Sequence, residues 1–136
     1  METFKIVYLI DDDPLVNLIN QKVISIAKFS GRTEVFSGAS VAIEALKKIN
    51  DIAPEEFPDI IFLDINMPGM DGWQFLEEYK HFPAQIIEKC KVFMLSSSID
   101  SKEINKSKTY TTVYDFISKP ISFAALEKIR PDQGIS

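Results

Sequence analysis

A chain of 136 residues, 46% hydrophobic and 26% charged, has the size and balance of one globular domain with a real core. A net charge of −5 and a pI near 4.9 argue against nucleic acid as a direct partner, because phosphate backbones attract basic patches. No apolar stretch approaches the ~20 residues of a membrane span, the N-terminus lacks the basic and apolar regions of a signal peptide, and the single cysteine, Cys90, excludes an internal disulfide, so the cytoplasm is the expected compartment.

The predicted elements alternate between strands and helices. The first strand covers about residues 4–10, where Ile6-Val7-Tyr8-Leu9-Ile10 runs straight into Asp11-Asp12-Asp13. A helix starts near Pro14, a residue suited to a first helical turn. Leu15, Ile19, Val23 and Ile26 recur at helical spacing and predict its buried face, and Gly31 closes that unit. The second strand is Thr33 to Ser37. The second helix begins at Ser37 or Ser40, either of which offers a cap, and Val41, Ala42, Ala45, Leu46 and Ile49 form its apolar stripe.

Pro54 and Pro58 bound a loop. The third strand, Ile60 to Leu63, stops at Asp64, followed by Asn66, Pro68, Gly69 and Gly72. The third helix follows Gly72 and carries Trp73, Phe75, Leu76 and Tyr79. A looser segment, Phe82 to Cys90, leads into the fourth strand, Val92 to Leu95, which ends in Ser96-Ser97-Ser98. The fourth helix spans about Asp100 to Lys108, where Ile99 and Ile104 stand against Lys102, Lys106 and Lys108. The fifth strand, Val113 to Ile117, ends in Ser118-Lys119-Pro120, and the fifth helix, about Phe123 to Ile129, buries Phe123, Leu126 and Ile129. Residues 1–130 read as one domain, and residues 131–136 as a short polar tail.

Continuous apolar runs of this length suit strands buried on both faces of a parallel sheet. Five of them alternating with helices predict an α/β, doubly wound, flavodoxin-like fold with strand order 2-1-3-4-5. That order sets strands 1 and 3 side by side and brings Asp11, Asp12 and Asp64 to one rim, the carboxyl ends of the strands, where such sheets bind ligands.

Two bare carboxylates ~4 Å apart repel by about 4 kcal/mol at an effective dielectric near 20. A trio must therefore protonate or bind a cation. Mg²⁺ suits carboxylate oxygens and pairs with phosphate, and a carbonyl after Asp64 offers a further ligand. Asp64, alone at the end of a central strand, is the candidate nucleophile for a phosphoryl group, giving an acyl phosphate. Asp11 and Asp12 are the candidate metal holders, while Asp13 favours the N-terminus of the first helix. The Ser96 hydroxyl offers a donor to a phosphoryl oxygen and the Lys119 ammonium a point charge. A catalytic role for Cys90 would need a base, and His81 is the only histidine; Cys90 reads as a small packing residue.

Together Tyr8-Leu9-Ile10-Asp11-Asp12-Asp13-Pro14, Phe62-Leu63-Asp64-Ile65-Asn66-Met67-Pro68-Gly69-Met70-Asp71-Gly72, Met94-Leu95-Ser96-Ser97 and Phe116-Ile117-Ser118-Lys119-Pro120 resemble a response-regulator receiver domain, the CheY-like phosphoacceptor module of two-component signalling. The resemblance covers about residues 4 to 129 and implies that Asp64 takes its phosphoryl group from a phosphohistidine on a sensor histidine kinase or a histidine phosphotransfer protein. It implies that Asp11 and Asp12 form the acidic pair for Mg²⁺, that Asp64 belongs to the same ligand set and that Asn66 adds its backbone carbonyl. Ser96 matches the switch hydroxyl. Lys119 matches the family's lysine, whose bond to the next proline is usually cis. Phe116 matches the aromatic that reorients on activation. On this reading phosphorylation changes the face built from the fourth helix, fifth strand and fifth helix, the acyl phosphate slowly self-hydrolyses, and Asn66 and Ser98 flank the site and tune that rate. Lys108-Thr109-Tyr110-Thr111-Thr112 departs from the small residues common before the strand-5 aromatic, and the fourth helix is unusually polar.

The expected function is a stand-alone receiver rather than a conventional enzyme, or alternatively a relay intermediate to a histidine phosphotransfer protein. An aspartate-nucleophile phosphohydrolase resembling the haloacid-dehalogenase family would need a second Asp where Asn66 stands. A flavin-phosphate binder would offer hydroxyls and amides where Asp11-Asp12-Asp13 repels anions. A degenerate receiver is disfavoured by the intact acid, hydroxyl and lysine set.

Overall fold

In a computed structural model describing residues 3–97 and 100–130, the apolar runs form one parallel sheet. Its strands are β1 (Phe4–Ile10), β2 (Ser30–Phe36), β3 (Ile60–Asp64), β4 (Lys91–Ser96) and β5 (Val113–Ser118), in the order β2-β1-β3-β4-β5. Six helices accompany them among the described residues: α1 (Pro14–Ile26), α2 (Ala39–Ile52), α3 (Gly72–Tyr79), α4 (Ala84–Lys89), α5 (Ser101–Ser107) and α6 (Phe123–Ile129). The doubly wound architecture is the one the strand pattern predicts. Ser98, Ile99 and the tail expected at residues 131–136 lie outside the described residues.

Strand side chains alternate between faces, and the core divides accordingly. Ile6, Tyr8, Ile10, Ile61, Leu63 and Met94 pack against Ala42 and Leu46 of α2 and Phe75 and Tyr79 of α3. Val7, Leu9, Ile60, Phe62 and Leu95 pack on the other face against Ile24 of α1 and Leu126 of α6. The pairings Ile10 with Leu63, Asp64 with Leu95 and Ser96 with Ser118 bring the strand ends to a common rim.

Most of the predicted face of α1 is turned outward, although Val23 packs half-buried on the core as expected. Leu15 and Ile26 are 62% and 70% exposed, Ile19 is also exposed, and the helix instead buries Asn17, Asn20 and Ile24. The asparagines turn inward because the strand-end loops beneath them present backbone groups. Asn17 Nδ2 donates to the Asp11 carbonyl at 2.8 Å, and Asn20 Oδ1 accepts from the Ile121 N–H at 2.9 Å.

Smaller differences have local causes. Gly31 does not close the first unit: Lys28 takes the left-handed conformation, φ 53°, and β2 starts at Ser30, earlier than Thr33, because it pairs with Phe4. Gly38 caps α2 with no side-chain bond, so neither Ser37 nor Ser40 does. Val41 is 58% exposed, and Ile43 fills the position expected of it. The segment read as loose contains α4, started by Pro83 and anchored by buried Ile86. Phe123 is 49% exposed, whereas Leu126 and Ile129 are buried as expected.

The polar helix, α5, is held by ring and charge contacts. Trp73 stacks on Tyr110 with centroids 5.9 Å apart, and the Lys106 ammonium lies 4.8 Å from the Trp73 ring centre. The Tyr110 hydroxyl donates to Glu77 Oε2 at 2.7 Å.

The outward turn of α1's apolar face sets a stability test in urea. Ile24→Ala should cost about 2–4 kcal/mol, whereas Leu15→Ala and Ile26→Ala should each change the unfolding free energy by less than about 0.5 kcal/mol. A large loss at Leu15 would restore the apolar-stripe orientation.

Candidate functional site

β1 and β3 deliver carboxylates to the same rim. Asp11 follows β1, anchored by its N–H to the Phe36 carbonyl at 3.1 Å, and Asp64 is the last residue of β3. Both are buried, while Asp12 is exposed. One carboxylate oxygen from each of Asp11, Asp12 and Asp64 lies within 4.8 Å of the others. Asp13 turns away as expected: its Oδ1 accepts from the Leu15 N–H at 2.9 Å and caps α1. Its own N–H donates to Asp11 Oδ1 at 2.9 Å, which orients that carboxylate.

The loop after Asp64 is shaped by two glycines. Gly69 has φ +75°, a conformation that favours glycine. At Gly72 a Cβ would come 2.7 Å from the Asp64 carbonyl oxygen, so only glycine lets α3 start this close to the site. The Asn66 N–H donates to the Asp64 carboxylate, and Asn66 itself is exposed.

Lys119 arrives from β5. Its N–H donates to the Ser96 carbonyl at 2.9 Å, and its bond to Pro120 is cis. Its Nζ lies 3.1 Å from Asp11 Oδ2 and 3.3 Å from Asp64 Oδ1, bridging the two strand ends. Ser96 ends β4, buried, and its Oγ donates to Glu103 Oε1 at 3.1 Å. Phe116 is half-buried against the cluster that contains Met94. Ser98 falls outside the described residues. Cys90 is buried and its thiol is pushed up to about 12 by that burial, consistent with a packing role.

Three carboxylates therefore face one contacting ammonium among the described residues. Burial, and then the charge on Asp11, pushes the Asp64 carboxyl up to about 6, with Lys119 pulling the other way. Burial opposes the charge on Lys119, but Asp11 and Asp64 outweigh it and hold the ammonium above the ordinary lysine value. A site of hard oxygen donors with surplus negative charge fits Mg²⁺, whose two positive charges would balance what Lys119 leaves uncompensated.

Three residues at this rim escape sequence reasoning. Asn17 and Asn20 grip the loops carrying Asp11 and Lys119, and their only signal is two amides three apart inside an apolar helix. Glu103 gives no signal at all, because its contact with Ser96 depends on how α5 docks.

The raised Asp64 carboxyl has a signed consequence. Folded, it binds its proton at about 6, above the ordinary 3.8, so below 3.8 both states are protonated and no penalty exists. As pH rises through that window the unfolded state ionises first, and folding is progressively disfavoured. Urea titrations in EDTA should show stability falling across the window by roughly 2–3 kcal/mol, and Asp64→Asn should flatten that slope. A slope unchanged by the substitution would assign the titration to another group.

The family profile of the response regulator receiver domain matches residues 7–130. Over 121 residues the chain is 32% identical to a probable C4-dicarboxylate response regulator DctR of Halalkalibacterium halodurans, covering 89% of this chain and 47% of that protein. It is 32% identical over 129 residues to hybrid signal transduction histidine kinase L of Dictyostelium discoideum, covering 94% of this chain and 7% of the kinase. The chain thus spans about half, or less, of the length of these curated relatives. The crystal structure of a two component response regulator from Cytophaga hutchinsonii matches with a TM-score of 0.85 at 31% identity, covering 93% of each chain. A fold, an acidic rim and a sequence that all agree place this chain in the response regulator receiver domain family.

Proposed function

We propose that residues 1–130 act as a cytoplasmic phosphoacceptor and that Asp64 is the acceptor. The observation that carries this reading is Lys119 Nζ bridging Asp11 and Asp64 at 3.1 and 3.3 Å. A bridged, buried carboxylate at a strand end is held for attack from a fixed direction. Receiver domains are phosphorylated by histidine kinases or phosphotransfer proteins, and they are signalling proteins rather than conventional enzymes.

In the step proposed, an Asp64 oxygen forms a bond to phosphorus as the bond from phosphorus to the donor's histidine nitrogen breaks, and the electron pair leaves with that nitrogen. Asp64 must be ionised to attack, which its value of about 6 allows at neutral pH. Asp11, Asp12, Asp64 and the Asn66 carbonyl are the residues that would hold Mg²⁺. Bound there, the ion supplies charge neutralisation at the phosphoryl oxygens. Lys119 pairs with the transferred group, and the Ser96 hydroxyl donates to one of its oxygens. Inward movement of Phe116 then alters the face of α5, β5 and α6, a shift between two packings biased by phosphoryl contacts.

The likeness to a hybrid histidine kinase favours a second role for the same site, passing the phosphoryl group on to a histidine phosphotransfer protein. It leaves the acceptor chemistry unchanged.

Incubation with acetyl phosphate and Mg²⁺ should add one phosphoryl group per chain, stable in acid and labile in base. Asp64→Asn should abolish it, EDTA should suppress it, and Lys119→Ala should slow it by about tenfold or more, the rate equivalent of a lost charge-assisted bond. Label retained in Asp64→Asn, or mapped to Ser96, would overturn the assignment.

A further inference from the structure

We propose that Glu103 is a positioning residue that latches the Ser96 hydroxyl away from the phosphoryl position and ties α5 directly to the state of Asp64. The proposal rests on the phosphoacceptor reading and adds a regulatory residue to it. Ser96 is buried at the end of β4, beside the strand that carries Asp64, with Asp64 paired to Leu95. Its hydroxyl has a single proton, and that proton is given to Glu103 Oε1 at 3.1 Å. The same proton cannot serve a phosphoryl oxygen on Asp64 at the same time. Phosphorylation must therefore break the Ser96–Glu103 bond, and the bond in turn favours the unphosphorylated state.

Glu103 is well placed to convert that exchange into movement. It is the third residue of α5, and its own N–H is tied to Asp100 Oδ1 at 2.8 Å, so side chain and helix start move as one. Among the described residues the other anchors of α5 are modest: Ile104 is half-buried, Ser107 is buried and bonds back to the Ile104 carbonyl at 2.7 Å, and Lys106 sits over Trp73. Loss of the Ser96 donor leaves a half-buried carboxylate that recovers a partner by turning to water, drawing the first turn of α5 with it. This route runs through the β4 end and needs no rotation of Phe116.

Beryllofluoride with Mg²⁺ is the probe, since it occupies the phosphoryl position without covalent chemistry, and calorimetry on the whole chain is the readout. Apparent affinity for a state rises as that state's resting population rises. A hydrogen bond to an ionised acceptor corresponds to about a tenfold bias. Glu103→Ala should therefore tighten beryllofluoride binding by about five- to tenfold. Glu103→Gln, which keeps an acceptor oxygen, should tighten it by no more than about threefold. In a Ser96→Ala background the Glu103→Ala gain should vanish, which a merely structural role for Glu103 would not produce. Wild-type binding with no gain in Glu103→Ala overturns the latch alone, as does a gain that persists without Ser96. No wild-type binding at all, with Mg²⁺ present, overturns the phosphoacceptor reading and the latch together.

Discussion

Repulsion among Asp11, Asp12 and Asp64 is the constraint around which the rim is organised. At separations near 4 Å each pair costs about 4 kcal/mol at an effective dielectric of 20, and the chain supplies one contacting ammonium, from Lys119, among the described residues. On the proposed reading a bound cation makes up the shortfall and so prepares the rim for an incoming phosphoryl group. A fully compensated cluster would be more stable and less receptive. The raised Asp64 carboxyl is the local trace of that choice, a buried acid kept beside another acid.

The rest of the structure keeps the acids from relaxing apart. Parallel register aligns the ends of β1, β3, β4 and β5, so four loops converge without any one being long. Backbone ties then fix each loop: Asn17 holds the Asp11 carbonyl, Asn20 the Ile121 amide, Ser96 the Lys119 amide, and the bare Cα of Gly72 admits α3 against Asp64. Two of these contacts, Asn20 to Ile121 and Ser96 to Lys119, join distant parts of the chain, and all act on the backbone, which is why side-chain charges can be held close in spite of their mutual cost.

The sheet and its acids were legible for the same reason. Strands buried on both faces read as unbroken apolar runs, so Ile6 to Ile10 and Ile60 to Leu63 declared themselves, and a carboxylate ending such a run is conspicuous. Helix faces were less legible. In α1, Leu15, Ile19 and Ile26 of the apolar stripe point to solvent, while Asn17 and Asn20 turn inward and each makes one bond to a buried backbone group. Periodicity alone carries no information about those groups, which come from residues 11 and 121. Likewise α5 reads as unusually polar because one of its anchors is a lysine over a tryptophan from α3, and the Ser96–Glu103 contact depends on how the helix docks. The short helix α4 lacked a strong period and was hidden in a segment of six helical residues.

The central claim, that the acidic rim is built to hold a divalent cation beside Asp64, is tested most directly by titrating metal-free protein with Mg²⁺ at neutral pH in a calorimeter. One site per chain, saturating in the millimolar range or below and lost in Asp11→Asn, is the predicted result. No heat of binding up to tens of millimolar, or an isotherm indifferent to Asp11, would contradict it.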